Sequence, residues 1–150
     1  MLRNVHIDDL YIFFEQQLDP KARWMCAFGN DPDKKDLFVT KWKKMLVDPT
    51  VLIKTIILND EIIGNIMSYK SEISYWIGKE FWGKGLATKA VVYFLTNVEK
   101  KRPIYARVAE DNLGSRRVLT KCNFEVVGEE KGFSSTRVCE LSELVFMRNS

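Results

Sequence analysis

Gly83 and Gly85 flank a single lysine, Lys84, immediately after a strand-like run over residues 73–77 that breaks at Gly78. A helix-like run follows at once, in which Leu86, Ala87, Ala90, Val91, Phe94, Leu95 and Val98 recur at helical spacing. Glycines at a strand-to-helix turn let the backbone approach a ligand with no Cβ in the way. The first N–H groups of a helix have no partner within it and carry the positive end of its dipole. Such a terminus suits a phosphate or pyrophosphate. The spacing of Gly78, Gly83 and Gly85 is not the dinucleotide G-x-G-x-x-G, and no Gly-Lys-Ser/Thr follows as in a P-loop. In isolation G-x-G fits an ordinary tight turn, so its neighbours must decide.

A second chemical segment runs from Asn112 through Ser115, Val118, Leu119, Lys121 and Cys122 to Phe124. An Asn opening a helix is a preferred N-cap, its oxygen accepting the N–H of Ser115. Ser115 shares a helical face with Val118, Leu119 and Cys122, which also fits a small residue at a packed helix start. Carboxylates able to take a proton stand at the ends of neighbouring strands. Glu72 heads the strand leading into the glycine turn and is the first candidate general base, though it fits an exposed strand end equally well. Glu110 and Asp111 are the alternatives, and Tyr69, Tyr75 and Tyr105 can donate hydrogen bonds. Cys122 falls at a core-like helical position. His6 is the only histidine, which leaves no Ser–His or Cys–His triad.

Trp82-Gly83-Lys84-Gly85-Leu86-Ala87 resembles the acyl-CoA pyrophosphate loop of the GCN5-related N-acetyltransferases (GNAT family), whose pattern is Gln/Arg-x-x-Gly-x-Gly/Ala. Trp82 stands in place of the first Gln or Arg, as is usual in the ribosomal-protein acetyltransferase-like branch. The segment from Asn112 to Phe124 resembles that branch's N-x-x-S-x-x-V-L-x-K-x-G-F, with Asn123 replacing the glycine. Asn also tolerates the left-handed conformation.

The resemblance implies an α+β fold with a mixed, mostly antiparallel sheet flanked by helices. In it two parallel strands, here residues 73–77 and 104–108, splay apart at the acyl-CoA site. It implies acetyl-CoA as co-substrate without a metal, and direct attack of an amine on the thioester. Gly83, Lys84, Gly85, Leu86, Ala87 and Thr88 would present N–H groups to the pyrophosphate. Trp76 and Ile77 would offer a strand edge to the pantetheine amides, as in β-augmentation. Asn112 would add a contact to that arm, and the Ser115 hydroxyl would serve the leaving thiolate.

The elements that must hold these residues follow from periodicity. Residues 2–5 read as a first strand, and Asp8-Asp9 marks a helix start ahead of Leu10, Phe13, Phe14 and Leu18. A second helix over 21–28 stops at Gly29-Asn30-Asp31-Pro32. Phe38, Trp42, Met45 and Leu46 define an amphipathic helix over 34–47. The period then changes to two: strands over 51–58 and 61–69, joined at Asn59-Asp60, lead into 73–77. A long helix to about residue 100, a strand over 103–108, the Asn112 helix and strands over 124–127 and 138–146 complete the chain. Helices grouped around a meander argue for α+β.

Composition sets the limits. A chain of 150 residues with 46% hydrophobic content fits one domain, 1–150, and excludes a disordered or collagenous class. No apolar run reaches the roughly 18 residues of a membrane span, and residues 1–9 do not form a secretory signal. Three cysteines without metal-ligand spacing read as reduced thiols, hence a cytoplasmic protein. The net charge of +3 suits a holder of an anionic co-substrate. Lys34, Lys35, Lys41, Lys43 and Lys44 read as a solvated helix face rather than a nucleic-acid surface.

The acceptor, a small amine or a protein N-terminus or lysine, would lie against Phe13, Phe14, Glu15, Trp24, Met25, Phe28 and Asp31, aromatics that equally suit a core. A monomer or homodimer is expected. The competing readings are a catalytically silent acyl-CoA sensor and a basic nucleic-acid or protein-binding module.

Overall fold

The change from helical to strand periodicity near residue 50 divides a helical N-terminal segment from the sheet onto which it packs. The computed structural model describes residues 1–28 and 31–150; of the expected Gly29-Asn30-Asp31-Pro32 turn, Gly29 and Asn30 lie outside them. A short strand β1 (Leu2–Asn4) precedes helices α1 (Asp9–Gln17), α2 (Pro20–Cys26) and α3 (Lys35–Leu46). The meander is β2 (Leu52–Leu58), β3 (Glu61–Tyr69) and β4 (Glu72–Ile77). Helix α4 (Leu86–Asn97), strand β5 (Ile104–Ala109), helix α5 (Leu113–Lys121) and strands β6 (Glu125–Ser134) and β7 (Cys139–Arg148) follow.

All seven strands form one sheet in the order β1-β2-β3-β4-β5-β7-β6. Every neighbouring pair is antiparallel except β4–β5. This is the expected α+β, mostly antiparallel architecture. The parallel pair is held by a single registered position, Glu72 opposite Tyr105, and by the Tyr105 N–H donating to the Ser71 carbonyl at 2.8 Å. Beyond that point the two strands part.

Each face of the sheet has its own core. On one, Leu10, Phe13 and Phe14 of α1 pack on Phe38 and Trp42 of α3, with ring centroids 5.3–5.4 Å apart. Such aromatic pairs add roughly 0.5–1.5 kcal/mol beyond the area they bury. On the other, Leu86, Ala90, Val91, Phe94 and Leu95 of α4 and Leu119 of α5 cover Ile56, Ile63, Ile66, Ile73, Ile104 and Phe146. The helical spacing of those α4 residues is what puts them on one face.

Several boundaries differ from the sequence expectation for physical reasons. Asp8 occupies the α1 cap position without a side-chain cap bond. Asp9 instead accepts the His6 N–H at 2.9 Å, the Thr55 hydroxyl at 2.7 Å and both Arg3 terminal nitrogens at 2.7 and 2.9 Å. Helix α2 begins a residue early because Asp19 caps it through the Ala22 N–H and Pro20 occupies its first turn. Helix α4 ends at Asn97, where the Asn97 amide donates to the Tyr93 carbonyl and the Glu99 N–H turns back to Phe94. Strand β6 runs to Ser134, well past the expected end at Val127, as a largely exposed edge strand with little apolar alternation. No helix among the described residues is long and apolar enough to cross a membrane.

Candidate functional site

Strand β4 runs into Gly78, a 3-10 turn over Lys79–Phe81, then Trp82, Gly83, Lys84 and Gly85. Gly83 and Gly85 hold φ of +77° and +72°, a region L-residues other than Gly enter only with strain. A Cβ built on either would meet nothing within 4 Å. Gly85 is the α4 cap and supplies no side-chain cap bond. The N–H groups of Leu86, Ala87 and Thr88 therefore begin α4 without a side-chain acceptor, above a hollow two side chains would otherwise fill. That is a cradle for an anion. Lys84 adds a cation whose Nζ lies 5.9 Å from the Phe81 ring centroid.

Trp82 closes this loop onto the strand, its indole N–H donating to the Ile77 carbonyl at 2.8 Å. The direction of the neighbouring backbone groups follows from strand parity. A Cβ on Gly64 would lie 2.0 Å from the Trp76 carbonyl oxygen, so that carbonyl faces β3. The Ser71 carbonyl, two pleats back from Tyr75, faces β5. Parity then turns the backbone of Tyr75 and Ile77 toward the parted β4–β5 gap. Of the two expected edge residues, Ile77 faces the gap and Trp76 turns its backbone away from it. The Trp76 indole N–H is buried without a hydrogen-bond partner.

On the far side of the gap, Asn112 caps α5 as its sequence position implies: its Oδ1 accepts the Ser115 N–H at 3.2 Å. Its Nδ2 also donates to the Met25 carbonyl of α2, at 3.3 Å. Tyr75 points its hydroxyl into the same region, where it is buried without closing a hydrogen bond. Burial pushes the Tyr75 phenol up to about 12, the nearby Ser115 hydroxyl offsetting part of that rise. It is a neutral proton donor. Cys122 is buried against the Thr88 carbonyl, its Sγ 3.8 Å away, and burial raises its thiol. A neutral, enclosed thiol is a poor nucleophile.

The opposite face of the same strands is charged. Arg107 of β5 pairs with Glu72 of β4 through Nε at 2.9 Å and with Glu130 of β6 through Nη1. Glu143 of β7 lies on that face too, in register with both Ala109 and Glu130. Asp111 is held by Arg137 at 2.5 Å, which lowers its carboxyl below the usual carboxylate range. The Glu110 backbone is engaged at both ends, its N–H donating to Ser142 and its carbonyl accepting from Arg116.

Helix α2 covers this end of the sheet. Its last carbonyls lack partners within the helix and are taken up by distant segments: Trp24 by Arg137 Nε at 2.8 Å, Met25 by Asn112, and Ala27 by the Ser134 hydroxyl at 2.7 Å. Trp24 is half exposed and stacks on Arg137, and Phe28 rests against Gly132. Asp31 pairs with Lys41. Phe13 and Phe14 belong to the α1–α3 core. Glu15 lines a cleft of about 710 Å³ between α1, the start of β3 and Lys79–Glu80, beside the glycine loop rather than over it.

Sequence reading did not pick out Arg107, Glu143 or Arg137. For Arg107 the signal is present, a charged residue between apolar ones in a strand, Ala106-Arg107-Val108; Glu143 follows the polar Ser142 and breaks no such alternation. No group of three or more His, Cys, Asp or Glu among the described residues could hold a metal ion.

The sequence model of a family described as acetyltransferase (GNAT) domain matches residues 1–125. No curated protein matches the sequence. Among solved structures, the aminoglycoside acetyltransferase AAC(6')-Ib in complex with coenzyme A superposes with a TM-score of 0.78 at 20% identity, covering 99% of this chain and 94% of that one. The microcin C7 self-immunity acetyltransferase MccE, with acetyl-CoA and AMP, gives 0.78 at 17% identity over 99% and 91%. Mycobacterium smegmatis RimJ with CoA-disulfide gives 0.78 at 21% identity over 99% and 81%. Identities this low speak to the fold, which they share along nearly the whole chain.

Proposed function

Because this chain belongs to the GNAT acetyltransferase family, whose co-substrate is acetyl-CoA, we propose that it is an N-acetyltransferase in which an amine attacks the thioester directly. The observation that carries this reading is the pair of positive-φ glycines with empty space at their Cβ positions, ahead of a helix start without a side-chain cap. The bound co-substrate supplies an activated acetyl group and a thiolate leaving group.

The residues divide the remaining work. Backbone N–H groups from Gly83 to Thr88 hold the pyrophosphate, with Lys84 a secondary contact. Tyr75 and Ile77 pair their backbone with the pantetheine amides along the open edge of β4. Asn112 fixes the start of α5 and, with it, Ser115. The Ser115 hydroxyl, beside the neutral Tyr75 phenol, donates to the departing thiolate. Trp82 in place of the loop's usual Gln or Arg, together with Ser115, supports the ribosomal-protein acetyltransferase-like branch. The acceptor approaches from the charged face, where Glu72, Glu130 and Glu143 favour a cationic amine, whether a small molecule or a protein N-terminus or lysine.

The test is acetyl-CoA titration followed by thermal unfolding, then an acceptor screen that monitors free-thiol release. Ligand binding to the native state must raise its melting temperature. Binding of acetyl-CoA without thiol release for any amine would reduce the protein to an acyl-CoA sensor. No binding at all would remove the reading.

A further inference from the structure

The three carboxylates on the acceptor-facing side of the sheet are not equivalent. Arg107 is shared between Glu72 and Glu130, whose side chains are 44% and 57% exposed. Glu143 is half-buried and forms no ion pair among the described residues. It stands directly across from Glu130 in the β6–β7 ladder, a like-charge pairing that ordinarily destabilises a sheet.

Position separates them further. Glu72 sits at the closed end of the β4–β5 gap, at the one place where those strands pair. Glu143 is in register with Ala109, the last residue of β5, on the part of that strand that has left β4. It is therefore nearer the open end, where Asn112 and the glycine loop converge. The unpartnered indole N–H of Trp76 belongs to the same stretch of β4. Helix α2 closes over the spot with Cys26, whose thiol is pushed up to about 11, chiefly by burial, with Glu143 among the charges acting on it.

Resting on the acetyl-transfer reading, we infer that Glu143 takes the proton from the acceptor's ammonium group, with Arg107 as the positioning residue that holds Glu72 and Glu130 aside in its salt bridges. The step balances simply. The ammonium gives one proton to the Glu143 carboxylate and becomes a free amine. The new N–C bond forms as the C–S bond breaks, the second nitrogen proton goes to the thiolate, and Glu143 returns its proton to solvent. The products are an amide, a free thiol and one proton.

The charges around Glu143 suit it to this. Burial raises its carboxyl first, and Glu72 from β4 and Glu130 from β6 raise it further, while Arg107 from β5 draws it back. Cys26 from α2 remains a neutral thiol across the working range. A base with a raised value keeps more driving force for removing an ammonium proton than an ordinary glutamate.

The experiment follows thiol release from acetyl-CoA with three probe acceptors, kanamycin, spermidine and a lysine-containing peptide with a free N-terminus, over a range of pH. Glu143→Gln should lower kcat/KM about 100-fold near neutral pH and abolish its acid limb, while the acetyl-CoA-induced rise in melting temperature is unchanged. Glu143→Asp should retain the limb. Carbon-13 titration of the wild-type Glu143 carboxyl should place it above the ordinary glutamate value, and this readout stands even if the Gln variant does not fold. A Glu143→Gln enzyme with a wild-type pH profile, or a Glu143 that titrates no higher than an ordinary glutamate, overturns the inference and leaves the acetyl-transfer reading intact. Wild-type protein that binds acetyl-CoA but transfers to none of the probes overturns the inference. Wild-type protein that does not bind acetyl-CoA overturns the reading beneath it.

Discussion

Asn112 and Met25, 87 residues apart in sequence, are joined by a hydrogen bond of 3.3 Å from the Asn112 amide to the Met25 carbonyl. The same side chain caps α5 through its oxygen. One amide thus ties the helix that carries Ser115 to helix α2 over the charged face of the sheet. Asn112→Asp keeps the capping oxygen, removes the donor and sets a negative charge against a carbonyl. It should fold with α5 intact while acetyl-CoA affinity falls about tenfold, the worth of roughly one hydrogen bond. Calorimetric titration against circular dichroism separates the two effects. Unchanged affinity in a folded variant would leave Asn112 as a cap alone.

Gly85→Asp places a Cβ and a carboxylate where the loop leaves open space. The positive φ costs roughly 1–2 kcal/mol, so the variant should fold with a lowered melting temperature. It should lose the acetyl-CoA-induced stabilisation altogether. Lys84→Ala should retain most of it, since the backbone forms the cradle. Equal shifts in wild type and Gly85→Asp would move the pyrophosphate elsewhere.

Much of the glycine loop and of the α5 start is readable from the sequence because their information is local: glycine spacing, a period change and an Asn three residues before a Ser. The charged face is not, because it depends on strand order. β7 inserts between β5 and β6, and only that insertion brings Glu143 beside Arg107 and Glu130. Strand β6 beyond Val127 carries no such signal either, since an exposed edge strand with Glu129, Glu130 and Lys131 has no buried face to impose alternation. Position alone puts Trp76 on the open edge, whereas its parity, fixed by Gly64 of β3, turns its backbone the other way.

Glu72→Gln distinguishes a charge neighbour from the proton acceptor itself. Glu72 raises the Glu143 carboxyl, and its removal also frees Arg107 to act more strongly there. Both effects lower the Glu143 value, so the acid limb of the rate profile should move to lower pH without disappearing. Stability should change by less than about 1 kcal/mol, because the pair with Arg107 is exposed. Complete loss of the acid limb in Glu72→Gln would return the base to Glu72.

Asp9 fastens β1 and β2 to the start of α1 and is 3% exposed. Burial alone would raise its carboxyl; the Arg3 guanidinium, the His6 N–H and the Thr55 hydroxyl outweigh burial and hold it below the usual range. A lowered folded-state value contributes stability above the unfolded value that is lost as pH falls through the folded one. Asp9→Asn should therefore cost roughly 2–3 kcal/mol at neutral pH. The gap to wild type should close below about pH 4. A constant difference across that range, measured by denaturant unfolding, would show that charge is not what Asp9 supplies.

The single registered position between β4 and β5 also gives the molecule a mechanical character. Strands β1–β4 form one leaf and β5, β7 and β6 another, sewn at Glu72–Tyr105 and spanned by α4 and α5. Amides on the inner margins of such leaves, Tyr75 and Ile77 above all, have no cross-strand acceptor to slow their exchange with deuterium. A ligand threaded between the leaves would add the missing stitches. Protection gained selectively at that seam on adding acetyl-CoA would place the pantetheine arm there residue by residue, before any acceptor amine has been identified.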